Sequence, residues 1–337
     1  MNADIPATMQ AVQQDEAEGK LILREIPVPR PGAGEVLVRM TAAPINPSDL
    51  ASLTGLSYTG IRTYPITPGN EGSGTVVATG AGLFAKILIG KRVACSPSTE
   101  GKGTWAQYMV TSAKYCMPLK QDVDIEQAAM LLVNPLTALA MIETAKKGKH
   151  RAIVNTVAAS NLGGMILRLA QHQGIPVVNI VRRAEQVDVV RSRGGEYVLD
   201  SSAPDFVERL RELVQSLKAT LFLDAIGGEM TQQLVDAAPQ GSSILIYSNM
   251  SHEDSRVVPF VTLVKDLRIH GWFLPNWLRT KNLLQSIALS RQAQSLLATD
   301  LSSHIGKRVP LASAQEALES YVQGMTNHKV LFQINRE

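Results

Sequence analysis

The segment Val157-Ala158-Ala159-Ser160-Asn161-Leu162-Gly163-Gly164 carries the clearest chemistry in this 337-residue chain. A short apolar run, residues 152–157, leads into it, and residues 162–173 leave it with helical periodicity. A turn from strand into helix aims backbone N–H groups, at the positive end of the helix dipole, toward an anion such as a diphosphate. The G-x-G-x-x-G spacing is not satisfied, since Gly163 and Gly164 both fall near the helix start and Ser160 and Asn161 take positions usually given to glycine. An ordinary turn in an α/β protein reads the same on this segment alone. The next apolar run, residues 177–181, ends in Arg182-Arg183. Enzymes that take NADH usually place Asp or Glu there for the ribose 2′-OH, whereas arginines suit a 2′-phosphate. The bland alternative is a solvated charge pair. Turn and arginines together point to NADPH.

Other chemistries find no pattern. His150, His172, His252, His270, His304 and His328 form no i, i+4 pair and no H-E-x-x-H. Cys95 and Cys116 stand 21 apart, in neither a C-x-x-C pattern nor a disulfide framework. No G-x-S-x-G supports a hydrolase triad. The net charge of +3 is weak, and aromatics, 5% of residues, do not interleave with basic ones, which argues against a nucleic-acid partner. The longest apolar stretch, residues 128–142, contains Asn134, Pro135 and Thr137 and falls short of the roughly 20 residues of a membrane span. No basic-then-apolar leader is visible, so the expected location is cytoplasmic.

The elements that must position this chemistry come in two textures. Residues 9–13, 21–26, 35–40, 75–79 and 92–96 read as short strands punctuated by turns, which suggests a small β-barrel-like domain. From about residue 130, strands at 152–157, 177–181, 197–200, 221–223 and 244–247 alternate with helical stretches. In one of these, Phe206, Leu210, Leu213, Val214 and Leu217 share a face. That alternation argues for an α/β fold with a doubly wound parallel sheet. The tail reads as helices over 277–297 and 314–324 and a last strand over 330–334.

Pro68-Gly69-Asn70-Glu71-Gly72-Ser73-Gly74 resembles the G-H-E-x-x-G motif of the medium-chain dehydrogenase/reductase superfamily, with Asn70 where the metal-binding His stands. Asn46, in Ile45-Asn46-Pro47-Ser48-Asp49, stands for the first ligand Cys, and Asn134, in Asn134-Pro135-Leu136-Thr137-Ala138, for the third. An amide is a poor zinc ligand beside thiolate or imidazole, and the chain also lacks a four-cysteine lobe. Further motifs are Gly103-Thr104-Trp105, Asn179-Ile180-Val181-Arg182, Ile226-Gly227-Gly228, and Lys265-Asp266-Leu267 leading to Gly271-Trp272-Phe273-Leu274. With these the chain is similar, over nearly its whole length, to the mitochondrial-type 2-enoyl thioester (trans-2-enoyl-CoA) reductases and their quinone-reductase-like relatives.

The resemblance implies a GroES-like β-barrel catalytic domain, residues 1–128 and 276–337, and a Rossmann NADPH-binding domain, residues 129–275. It makes Tyr58, twelve residues before Asn70, the proton donor, with Tyr64 as nearest competitor. It makes Asn46, Asn134 and Thr137 cofactor contacts, with Asn134 on the nicotinamide side. Ala159, Ser160, Asn161, Leu162 and Gly163 become the phosphate turn, and Arg182, Arg183 and Ala184 the 2′-phosphate loop. Tyr247, Ser248, Asn249, Met250, Trp272, Phe273 and Leu274 line the cofactor, and Lys329 is a late phosphate or nicotinamide-side contact. The chain departs from the pattern at Asn161, which replaces a turn glycine and either rotates the diphosphate or takes a positive φ. It departs again at Ser248-Asn249 in place of Gly-Gly, and at Trp272-Phe273, an inverted Phe-Trp order. The implied activity is zinc-free, NADPH-dependent reduction of an activated C=C bond in an enoyl thioester or enone. The alternatives are NADPH:quinone reduction and cofactor binding without turnover. The expected assembly is a homodimer, joined through the β-prone run 267–274.

Overall fold

Apolar alternation and glycine placement shape the first unit, Met1–Pro135 with Leu289–Glu337. The computed structural model describes residues 5–55, 63–324 and 329–335. Strands β1 (Thr8–Gln13) and β2 (Ile22–Pro27) form an antiparallel pair. β3 (Glu35–Pro44), whose Val36, Leu37, Val38, Met40, Ala42 and Ala43 are buried, is the spine of the larger sheet. It pairs with β4 (Gly72–Thr79), and the sheet also takes in β5 (Arg92–Cys95), β6 (Tyr108–Ser112) and β7 (Cys116–Pro118). β4 begins three residues before the expected strand. Its glycines are there for close approach: a Cβ on Gly74 would sit 2.1 Å from the Arg39 carbonyl oxygen of β3. β6 and β7, absent from the sequence reading, are short and lie beside turns.

The second unit, Leu136–Ala288, is the parallel sheet. Its strands are β8 (Ile153–Asn155), β9 (Val177–Val181), β10 (Tyr197–Asp200), β11 (Leu221–Asp224), β12 (Ser243–Ile246) and β13 (Arg268–Gly271). They lie in the order β10-β9-β8-β11-β12-β13, and every neighbouring pair is parallel. The direction of winding reverses between β8 and β11, which is where doubly wound folds bind ligands. Helices Asn161–His172, Ala184–Ser192, Phe206–Ser216 and Gly228–Ala237 follow β8 to β11. Phe206, Leu210 and Val214 are buried at four-residue spacing and join Val154, Val178, Ile180 and Phe222 in one core. Such burial is worth about 1.5–3 kcal/mol for each large side chain.

The expected tail helix over 277–297 is two helices, Leu274–Arg279 and Leu283–Ser295. Asn282 starts the second: its Oδ1 accepts from Gln285 N at 2.9 Å, and Gln285 Oε1 accepts from Asn282 N at 3.0 Å, a reciprocal cap that ends any continuous reading. The chain re-enters the first unit at Leu289, within that second helix, and continues with β14 (Ile305–Val309), the helix Ala314–Gln323 and β15 (Lys329–Gln333). β15 pairs antiparallel with β3 and parallel with β14. Phe332 packs on Trp105 with ring centroids 5.0 Å apart, and Trp105 Nε1 donates to the Pro44 carbonyl at 3.1 Å, so the indole is buried with its polar atom satisfied. Among the described residues no helix is long and apolar enough to cross a membrane.

Candidate functional site

Parallel pairing brings the carboxyl ends of β8 to β13 to one edge of the second unit. The turn at 157–164 lies at the end of β8, Arg182 and Arg183 at β9, Ala225 to Gly227 at β11, Tyr247 to Met250 at β12, and Trp272 to Leu274 at β13. Ser160 caps the helix Asn161–His172, its Oγ accepting from Gly163 N at 3.0 Å. Asn161 is the first helical residue and is not among those with positive φ; the left-handed residue is Val157, with φ 53°. A β-branched side chain rarely tolerates that conformation, so strain sits at the entry to the turn. Ala158 N donates to Ile180 O at 3.1 Å, tying the turn to β9. Gly163 permits the tight return: a Cβ there would meet the Ala158 carbonyl oxygen at 2.4 Å.

Two residues that the sequence reading missed organise this edge. Buried Thr156 donates from Oγ1 to Leu223 O at 3.1 Å and accepts from Ala225 N at 2.9 Å, lacing the end of β8 to β11. Buried Asp224 accepts from Ile226 N at 2.9 Å, Gly227 N at 3.2 Å and the Thr231 hydroxyl at 2.6 Å. Tyr247 N and Trp272 N donate to Asp224 O and Ile246 O at 2.9 and 2.8 Å, which fixes the last two loops. A polar residue closing an apolar run was the available signal. Arg182, Arg183 and Ala184 are exposed, and Arg182 N donates to Gln186 Oε1 at 3.0 Å. Exposed Glu185, in the first turn of Ala184–Ser192, is the first acidic residue after the strand.

In the first unit the motifs converge on a buried polar cluster. Asn46 (1% exposed), Asp49 (0%), Glu71 (1%) and Lys329 (3%) come from the start of helix Pro47–Leu53, the loop before β4, and β15. Asn46 Nδ2 donates to Glu71 Oε1 at 2.9 Å, and the Lys329 ammonium donates to Asn46 Oδ1. Glu71 Oε2 accepts from Leu132 N and Val133 N, both at 2.9 Å, so this carboxyl fixes the segment that leads into Asn134. Asp49 accepts from Asn46 N at 2.7 Å and Asn70 N at 2.9 Å, and Asn70 Nδ2 donates to Ser48 Oγ at 3.2 Å. Burial pushes the Asp49 carboxyl up to about 7, the Asn46 N–H opposing it and the Glu71 charge reinforcing it. Burial also raises Glu71, against the pull of Lys329 and its hydrogen bonds. It lowers Lys329 despite the two carboxylates.

Asn46 and Lys329 thus commit their polar atoms to each other and to Glu71 within this unit. Asn134 begins the helix Asn134–Lys147 and is half-buried, and Thr137, one turn on, is buried. Tyr58 lies outside the described residues. The Tyr64 hydroxyl is buried without a hydrogen-bond partner among them.

The family of the alcohol dehydrogenase GroES-like domain matches residues 32–121, and the zinc-binding dehydrogenase family matches residues 162–289. The chain is 27% identical over 322 residues to the mitochondrial enoyl-[acyl-carrier-protein] reductase of Xenopus tropicalis, covering 93% of this chain and 89% of that one. It is 32% identical to a Mesorhizobium loti protein of known structure, provisionally named an NADPH:quinone reductase. That match has a TM-score of 0.91 and covers 98% of this chain and 100% of the other. A mycobacterial protein solved in complex with NADPH is 22% identical, with a TM-score of 0.83 over 96% of this chain and 99% of that one, a likeness of fold. The zinc in the second family's name does not fit the donors present. Both ends of the Asn46 amide are engaged, the Asn70 amide bonds Ser48, and a buried ammonium at Asn46 repels a second cation. Among the described residues no group of three or more His, Cys, Asp or Glu is placed to hold a metal ion.

Proposed function

The chain belongs to the medium-chain dehydrogenase/reductase superfamily, and from that premise we propose that it is an NADPH-dependent, zinc-independent reductase of C=C bonds conjugated to a carbonyl, in an enoyl thioester or enone. The observation that carries the cofactor half is the exposed Arg182-Arg183 pair at the end of β9, on the same sheet edge as the capped start of Asn161–His172. That helix start receives the diphosphate, the arginines the 2′-phosphate, and the loops after β12 and β13 flank the nicotinamide end. When bound, NADPH supplies the hydride, which goes to the β-carbon.

The acceptor half rests on the cluster at Asn46. With an amide and an ammonium where a Lewis acid would sit, carbonyl polarisation must come from hydrogen bonding. We assign it to Tyr58, because a phenol, with a usual pKa of about 10, stays protonated at neutral pH. It hydrogen-bonds the oxygen of the forming enolate and supplies or relays the proton that the α-carbon takes, water reprotonating the phenolate, a contribution of about 10²–10⁴-fold. The saturated carbonyl compound and NADP⁺ leave. The assembly we propose is a homodimer. β13 is the open edge of its sheet, and Phe260 and Leu263, on the adjoining helix Pro259–Val264, are 72% and 76% exposed.

The likeness to the Mesorhizobium protein favours a second reading, hydride transfer to a quinone. A panel of enoyl thioesters, enones and quinones, followed by loss of NADPH absorbance, tests both. Tyr58→Phe should lower kcat on an enoyl thioester by at least about tenfold while leaving NADPH affinity in place, because the phenol acts only as charge shifts to oxygen. A quinone can take its protons from water, so the variant should reduce it almost as fast. Unchanged enoyl reduction would move the quinone reading ahead. Tight NADPH binding with no turnover on any acceptor would reject both in favour of a protein that binds the cofactor without using it.

A further inference from the structure

Arg193 closes the helix Ala184–Ser192, yet its guanidinium reaches back to the turn after β8. Nη1 donates to the carbonyl oxygen of Ala159 at 3.0 Å and to that of Ser160 at 3.1 Å. The side chain is half-buried, and Gly164 makes room for it: a Cβ on Gly164 would lie 3.0 Å from Arg193 Nη1 and 3.3 Å from Arg168 Nη1. This gives the second glycine of the Gly163-Gly164 pair a purpose that phosphate contact alone does not.

Peptide geometry supplies the consequence. In a trans peptide the C=O and the following N–H point to opposite sides of the chain. Holding the Ser160 carbonyl on the Arg193 side turns the Asn161 N–H to the other side. Holding the Ala159 carbonyl does the same for the Ser160 N–H, which donates to Val157 O at 3.1 Å and closes the turn. The Ser160 carbonyl also accepts from Gly164 N at 3.0 Å, the first bond of the helix, so without the guanidinium it keeps that backbone bond, but both carbonyls lose the positive charge that faces them. With it, their negative ends are neutralised behind the turn.

We propose that Arg193 is a positioning residue for dinucleotide binding, clamping the Ala159 and Ser160 carbonyls so that the helix start, with the Asn161 N–H turned away from the guanidinium, faces the diphosphate. This rests on the dinucleotide reading given above. Arg193 therefore acts on whatever carries the diphosphate and is indifferent to the 2′-phosphate, the reverse of Arg182.

The test is a set of dissociation constants, by fluorescence titration, for NADPH, NADH and adenosine 2′-monophosphate, which has the 2′-phosphate but no diphosphate. In Arg193→Met, NADPH and NADH should weaken by similar factors of at least about tenfold, the order of losing a charge-assisted hydrogen bond, while adenosine 2′-monophosphate holds. Arg193→Lys, which keeps the charge and one donor, should recover part of the loss. Loss confined to NADPH and adenosine 2′-monophosphate would overturn the proposal and make Arg193 a direct 2′-phosphate ligand. Equal loss of all three ligands, or of none, would overturn it as well. Should Arg193→Met not fold, Gly164→Ala replaces it: the added methyl would lie 3.0 Å from Nη1 and push it by a few tenths of an ångström, so a smaller loss shared by both dinucleotides, with adenosine 2′-monophosphate held, is required. If the unmutated protein binds neither dinucleotide, the cofactor reading itself falls; if it binds them and the variants do too, only the role of Arg193 falls.

Discussion

Replacing Lys329 by Met tests the buried cluster directly. Met keeps most of the apolar stem but removes the ammonium from Asn46, Glu71 and Asp49, all at most 1% exposed. Deleting one partner of a buried ionic group typically costs about 3–5 kcal/mol, because the remaining charge is left uncompensated. Two carboxyls share the consequence. With Lys329 present the Asp49 carboxyl is already pushed from 3.8 up to about 7. Without it, both Asp49 and Glu71 rise further. A carboxyl whose folded pKa exceeds its unfolded value holds a proton that the unfolded chain has released. Its favourable contribution is therefore present at acid pH and is lost as pH rises from about 4 through about 7. The Lys329→Met penalty should accordingly be larger at pH 8 than at pH 5. Each unit by which the variant raises a carboxyl pKa adds at most about 1.4 kcal/mol at the higher pH, and less once that pKa nears 8. Urea denaturation at the two pH values measures it. Adding Glu71→Gln, which removes one negative charge, should recover stability at pH 8 relative to Lys329→Met alone. A penalty below about 1 kcal/mol that is equal at both pH values would refute the burial and charge argument.

Three further outcomes are expected. NADPH should bind in preference to NADH, and Arg182→Ala should erode that preference by about 10- to 100-fold, the worth of a charge-assisted bond; equal dissociation constants in the unmutated protein would contradict it. Purified protein should contain no stoichiometric zinc and keep its activity in chelator, because Asn46 and Asn70 are engaged and Lys329 repels a cation; elemental analysis giving about one zinc per chain would sink this. Light scattering should report a dimer, and a mass near the 36.4 kDa of one chain at micromolar concentration would reject the β13-edge assembly.

Strands β8 to β12 of the parallel sheet were legible because strands buried on both faces read as apolar runs, residues 177–181 being β9 to the residue, whereas the exposed Arg268 and His270 hid β13. β14 was not, because Lys307 and Arg308 are exposed within it and only its end residue Val309 is buried. The break at Asn282 was hidden by Leu283 and Leu284, which continue an apolar pattern yet are 75% and 77% exposed, so hydrophobic spacing outweighed a local cap. The candidate site divides along the same line. Residues that act within one turn, such as Ser160 on Gly163, lie inside a motif window and could be named from it. Those joined across the fold could not. Resemblance named Lys329 and Asn46 separately, as cofactor contacts; that the ammonium of one meets the amide of the other, 283 residues away, no periodicity could show. Arg193 had no motif at all. It reaches Ser160 across 33 residues and a whole strand-helix crossover, and only the parallel pairing of β8 with β9 brings the end of one helix beneath the start of another. Sequence motifs locate the groups that face a ligand. The groups that hold those in place from behind are set by topology, and Gly164 is the trace that Arg193 leaves in the sequence, a glycine whose missing side chain makes room for an arginine.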